Sequence, residues 1–214
     1  MKLRVFLLSS LLLFSSAHAG KKILLFEDAG TLGKGGFQSE HYLSRQEPRT
    51  TAYTFTLSYG LLEKVDVGLN LPFEYSNKLE SSNISLDLKW NFFEKGETKG
   101  AFKFSSELPT KEGAVKYGPT LALQTSFERL SFYAVSSYEL KERVFSQSAS
   151  VEWKMVENLS LVATGFYLSE DSQTGLVGGL SFSGKNWEFA LGVQKVFKDK
   201  EKPSVVAGFT VRFR

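Results

Sequence analysis

Residues 27–40, EDAGTLGKGGFQSE, carry four glycines and a lysine in an order close to a phosphate-cradling loop. Such a loop needs G-x-x-x-x-G-K-[ST] between a buried strand and a helix, so that backbone N–H groups converge on the anion. Here Gly33-Lys34 is followed by Gly35, which removes the metal-binding hydroxyl, and the next stretch, GFQSEHYLSR, has no 3.6-residue periodicity. The glycines instead predict a turn leading into a strand. Hydrolytic chemistry is no better supplied. The sequence has two histidines and no cysteine, and once the leader is gone His41 is the only histidine. A Ser–His–carboxylate relay needs a nucleophile close to that histidine. His41 alternates with Phe37 and Ser39 on what should be an outward face, and no nucleophile motif is near. A lone His among scattered carboxylates has no metal-ligand spacing, and no carboxylate pair stands out for glycoside hydrolysis. The residues predict neither an enzyme nor a cofactor nor a metal site.

The remaining chemistry is a set of charged and amide side chains at alternate positions of extended segments. Asp66, Glu74, Asp87, Lys89, Lys103, Glu107, Glu139, Glu152, Lys154, Glu188 and Arg212 fall on polar faces, and Gln38 and Glu40 open the series. Pointing into a lumen, they would form a polar path that solvates and orients solutes. They could equally pair across the lumen and fill it. The sequence leaves both readings open.

The elements that must position these residues are strands. In TAYTFTLSYGL, Tyr53, Phe55, Leu57, Tyr59 and Leu61 oppose Thr54, Thr56, Ser58 and Gly60. In ISLDLKWNF, Ile84, Leu86, Leu88, Trp90 and Phe92 oppose Ser85, Asp87, Lys89 and Asn91. VDVGLNLPFEY, WEFALGVQKVF and VVAGFTVRFR repeat this period of two, which is the strand signal. About twelve such segments occur, each near the 9–11 residues of a tilted membrane strand. They begin near Gly36, Thr51, Val65, Asn83, Ala101, Tyr117, Leu130, Phe145, Leu159, Gly175, Trp187 and Ser204. Pro109 and Pro119 weaken the fifth and sixth, and the ninth and tenth alternate poorly. A soluble sandwich would bury its apolar faces and coat its outside with charge. Here the polar faces are rich in Ser, Thr, Gly and Asn, and aromatics recur at segment ends, as in the interfacial girdles of a membrane barrel. The predicted fold is all-β: a transmembrane antiparallel up-and-down β-barrel of about 12 strands, following a cleaved signal peptide.

The leader is MKLRVFLLSSLLLFSSAHAG, with Lys2 and Arg4, an apolar run from Val5 to Phe14, and Ala17-His18-Ala19 as a small-x-small cleavage site. Its apolar core is shorter than the about 20 residues of a spanning helix. Residues 1–19 are therefore expected as a signal peptide, 20–35 as a periplasmic lead-in and 36–214 as the barrel. Removing Lys2 and Arg4 takes 26 Lys+Arg against 23 Asp+Glu to 24 against 23. That balance offers no basic surface for nucleic acid. Without cysteine there is no disulfide framework. A chain of 14% aromatics must hold together by strand pairing and closure.

GTLGKGGFQSE, YGLLEKVDVGLNLPFEY and ISLDLKWNFFE together resemble the meta-pathway phenol-degradation family of outer-membrane β-barrel proteins. The resemblance covers residues 30–93; the second half agrees only in periodicity. It implies a bacterial outer-membrane barrel that moves small, often aromatic compounds, with outer-membrane lipids, the barrel assembly machinery and a small-molecule solute as partners. Gln38 and Glu40 would then face the lumen. The expected function is a passive channel or uptake protein for small, aromatic or weakly polar molecules. The alternative is a closed structural or adhesive barrel. One departure stands out: such barrels usually end on an aromatic residue, whereas this chain ends Phe213-Arg214. Substrate, oligomeric state and open radius have no signature in the sequence.

Overall fold

The computed structural model describes residues 28–46, 50–75, 79–81, 83–110, 113–198 and 201–213. The expected signal peptide and the first part of the lead-in lie outside the described residues. Strands are β1 (Phe37–Gln46), β2 (Thr50–Leu62), β3 (Val65–Tyr75), β4 (Leu79–Ser81), β5 (Ile84–Lys95), β6 (Thr98–Leu108), β7 (Lys116–Phe127), β8 (Leu130–Glu139), β9 (Val144–Val156), β10 (Leu159–Leu168), β11 (Gln173–Ser183), β12 (Trp187–Val196) and β13 (Ser204–Phe213). A 3-10 turn, Glu170–Ser172, precedes β11.

All pairings are antiparallel, and β1 pairs with both β2 and β13, from Phe37 opposite Phe213 to Arg45 opposite Val205. This closes a barrel of twelve strands and leaves no exposed sheet edge in the wall. The short β4 stands outside the circuit, paired only with the far end of β3. The expected strand starts agree with the observed ones to within three residues. The largest offset is β6, which begins at Thr98 rather than Ala101.

One rim carries tight turns, including Glu63-Lys64, Gly96-Glu97, Glu128-Arg129 and Glu157-Asn158, together with both ends of the wall, Phe37 and Phe213. The first residues of the Gly96 and Glu128 hairpins have φ of 58° and 52°. A positive φ there matches the turn twist to the right-handed twist of the strands. The opposite rim carries the longer connections.

The two faces of the wall differ in chemistry. Outward side chains are apolar and exposed, such as Leu88 at 51% and Trp90 at 53%. Inward ones are mainly Ser, Thr, Asn and charged residues, with Asn70 at 0% and Lys103 at 1%. Trp90, Trp153 and Trp187, all the tryptophans of the sequence, point outward in the half of the wall near the tight turns. Tyr75, Tyr117, Tyr138 and Tyr167 point outward near the long-loop rim. This apolar band with aromatic borders is the surface a bilayer requires of a barrel.

Candidate functional site

The lumen is partly filled by the chain itself. Residues 28–36 fold back inside the tight-turn end, and their backbone is held by lumen-facing side chains. Lys89 Nζ donates to the Asp28 carbonyl at 2.8 Å and lies 3.3 Å from its carboxylate. Asn91 Nδ2 donates to the Ala29 carbonyl at 2.8 Å, while the Ala29 N–H donates to Gln124 Oε1 at 3.2 Å. The Leu32 N–H is shared between both Asp66 oxygens, at 3.0 and 3.2 Å. Ala29 is 0% exposed and packs against Ala101, Ala122 and Val135.

The glycines make this fold-back possible. Gly33 and Gly35 adopt φ of 75° and 80°, a left-handed conformation that costs glycine little. The Gly35 N–H donates to the Gly60 carbonyl, and the Gly60 N–H donates to the Gly36 carbonyl, both at 2.8 Å. A Cβ on Gly60 would sit 1.8 Å from the Gly33 carbonyl oxygen, so no other residue fits there without displacing the turn.

Beyond the lead-in, hydrogen bonds run from strand to strand along the inner wall. Thr56 Oγ1 donates to Asn70 Oδ1 at 2.8 Å, Asn70 Nδ2 donates to Asp87 Oδ2 at 2.9 Å, and Ser85 Oγ donates to Asp87 Oδ1 at 3.0 Å. This chain joins β2, β3 and β5. Thr164 donates to Ser150 at 2.9 Å between β10 and β9, and Ser181 donates to Glu188 at 2.7 Å between β11 and β12. Each satisfies buried polar groups where an unmet one would cost about 1–3 kcal/mol.

An apolar patch interrupts these polar side chains. Tyr42, Tyr133, Val162, Val177, Ala190 and Val206 form one buried cluster, with Phe166 packed against it. Tyr133 turns its hydroxyl away to donate to Glu152 Oε2 at 2.8 Å. The lumen therefore carries an apolar patch, drawn from β1, β8 and β10 to β13, among its hydrogen-bonding side chains.

The residues singled out from sequence distribute around this interior. Gln38, Glu40, Asp66, Asp87, Lys89, Lys103, Glu139, Glu152 and Glu188 are buried on the inner side of their strands. Glu74, Glu107 and Arg212 are partly buried at the same parity. Lys154 is exposed, close to the tight-turn end of β9. The structure brings Gln38, Glu188 and Arg212 together at the seam and Asp66 and Lys89 together beneath the lead-in. Asp28, Gln124, Tyr42, Tyr133 and Phe166 were not anticipated. For Tyr42 and Tyr133 a signal existed, since each occupies the alternate position shared with polar neighbours such as Glu40 and Ser131. Among the described residues, no group of three or more His, Cys, Asp or Glu could hold a metal ion.

In sequence, the chain matches no family model and no curated protein. In structure it is similar to the KdgM porin, with a TM-score of 0.68 at 12% identity over 83% of this chain and 99% of that one. The same porin in complex with disordered oligogalacturonate gives 0.67 at 12% identity over 84% and 99%. The NanC porin gives 0.63 at 9% identity over 82% and 98%. The COG4313 outer membrane channel from Pseudomonas putida F1 gives 0.62 at 10% identity, over 87% of this chain and 98% of that one. At such identities the likeness is one of fold. The chain has the architecture of these outer-membrane β-barrels.

Proposed function

We propose that this protein is a passive outer-membrane channel or uptake protein for small molecules, working without cofactor, catalysis or energy coupling. The observation that carries the reading is a closed wall whose outside is apolar and whose inside is polar. In a bilayer that arrangement hydrates the inside and shields it from lipid. The similarity to the NanC porin and the COG4313 channel supports it, as does the capture of oligogalacturonate by the KdgM porin. Residues 1–19 act as a leader removed on export, 20–35 as the lead-in and 36–214 as the barrel. The path is lined by the inward residues of neighbouring strands, among them Glu40, Glu74, Asp87, Glu107, Glu139 and Glu152. The resemblance to the meta-pathway phenol-degradation family supports aromatic or weakly polar solutes. The Tyr42–Tyr133–Phe166 side of the lumen offers such rings an apolar surface. Single-channel recording of the refolded protein tests this: stepwise, steady currents are expected, and silence would overturn it.

A sealed barrel, structural or adhesive, is the second reading. It is favoured by one observation, the complete burial of Ala29 inside the tight-turn end. Liposome swelling with small sugars and phenols separates the two. A sealed barrel leaves the swelling rate at that of protein-free vesicles.

A further inference from the structure

The charges of the lumen are not evenly balanced in what holds them. Toward the long-loop mouth, Asp87 on β5, Glu107 on β6 and Glu139 on β8 face inward. Both Asp87 oxygens accept from neutral groups, the Asn70 amide and the Ser85 hydroxyl. The Glu139 carboxylate accepts backbone N–H groups of Lys141 and Glu142. Neutral donors stabilise a carboxylate without cancelling its charge. The inward cations are placed otherwise. Lys116 pairs with the loop residue Glu142 at 2.7 Å, Lys89 with Asp28 at 3.3 Å, and Arg212 lies 3.8 Å from Glu188. Lys103 is buried at 1% exposure. Lys141 and Arg143, on the loop beyond β8, are exposed and screened by solvent. The facing wall at this level is neutral, with Ser44, Ser146, Gln173 and Gln194.

A second observation lies in the same place. Ser105 is 9% exposed, its hydroxyl oxygen has no hydrogen-bond partner, and it lines a recess with Glu107, its register partner Lys116, Thr120, Ser137 and Glu139. The recess thus offers an unused oxygen beside two carboxylates.

We propose that the long-loop mouth selects for positive charge, so that the channel admits cations and cationic small molecules in preference to anions. This rests on the channel reading above. Carboxylates in a narrow lumen with low-dielectric walls focus the field and raise the local cation concentration. Polyanions meet the same field as a barrier.

The test is the reversal potential of the refolded full barrel across a KCl gradient in planar bilayers. A permeability ratio of K+ over Cl− of roughly three or more is expected, as for a pore focused by carboxylates held by neutral donors. Asp87→Asn combined with Glu139→Gln should bring the ratio toward one. A wild-type ratio at or below one, or a ratio indifferent to those two substitutions, overturns the proposal while leaving the channel intact. Silent bilayers overturn the channel reading instead, and the field is then read chemically. The sequence has no cysteine, so Ser137→Cys can be labelled alone with thiosulfonate reagents of either sign. Faster reaction of the cationic reagent upholds the field; equal rates, or a faster anionic reagent, overturn it.

Discussion

Gln38 and Arg212 stand 174 residues apart in sequence and meet across the barrel seam, the Arg212 Nε donating to Gln38 Oε1 at 2.8 Å. They are register partners of the β1–β13 ladder. On the lipid side of the same ladder the next pair, Phe37 and Phe213, brings its rings to 5.9 Å between centroids. First and last strands are thus fastened on both faces at the tight-turn rim.

Removing the inner fastening should loosen closure. Arg212→Ala removes the donor to buried Gln38 and the cation beside Glu188, at an expected cost of about 1 kcal/mol for a partly exposed donor. The urea midpoint of unfolding from lipid vesicles should fall, and Arg212→Lys should recover only part of it because a lysine cannot span both acceptors in one plane. An unchanged midpoint for Arg212→Ala would show that the backbone ladder alone sets closure.

Gly60→Val should unseat the lead-in without breaking the wall. A valine suits a strand, but its Cβ collides with the Gly33 carbonyl. Trypsin should then cut after Lys34 markedly faster in the folded variant than in wild type. If cleavage rates match, the lead-in has found another seat.

Leu69→Arg and Ser146→Arg separate the two faces. Leu69 lies on the outward face of β3 near mid-wall, where an arginine costs ~2–4 kcal/mol. Ser146 is inward on β9, near the long-loop mouth. Folding yield in vesicles should drop for the first and hold for the second. Equal yields would undo the face assignment.

The hairpin at Glu128 holds a non-glycine residue at φ 52°. Glu128→Gly should relieve a left-handed conformation that costs roughly 1 kcal/mol, offset in part by the greater freedom of the unfolded glycine. A small rise in the unfolding midpoint is the expected readout, and a fall would mean that the Glu128 side chain contributes more than its backbone strain removes.

Orientation can be checked at Gly96, the first turn residue between β5 and β6. Both ends of the wall share this rim, which the export route proposed above would leave in the periplasm. An epitope inserted between Lys95 and Gly96 should stay hidden from antibody on intact cells and become accessible after permeabilisation. Labelling of intact cells would invert the barrel.

The wall was legible because its two solvents, lipid and water, impose a period of two on each strand. Legibility failed where that contrast fades. β10 and β11 alternate poorly because Val162 and Val177 turn apolar side chains inward, toward the Tyr42–Tyr133 side. Three of their outward positions, Ala163, Gly165 and Gly178, are small. The prolines inside strands are tolerated for a different reason. Pro119 lies inside β7, but the ladder to β8 reaches only Thr120, and Pro72 lies beyond Asn70, where the ladder to β5 ends. Each sits where one neighbouring ladder has stopped, which is where a missing N–H is tolerated. The seating of the lead-in inside the barrel was invisible. Its contacts join residues 24 to 95 positions apart, and no periodicity marks them. The inward charges could be placed on a face, but not paired, because partners such as Asp28 and Lys89 come from different structural layers.

The asymmetric placement of the tryptophans gives the barrel a built-in optical gauge. Indole emission dominates the fluorescence of a folded protein, and here all three indoles sit outward near one rim, while the tyrosines Tyr75, Tyr117, Tyr138 and Tyr167 border the other. Lipids brominated in a single leaflet would therefore quench the emission strongly from one side of the bilayer and weakly from the other. The unlabelled wild-type chain can thus report the direction of its own insertion and the order in which its two rims reach the membrane.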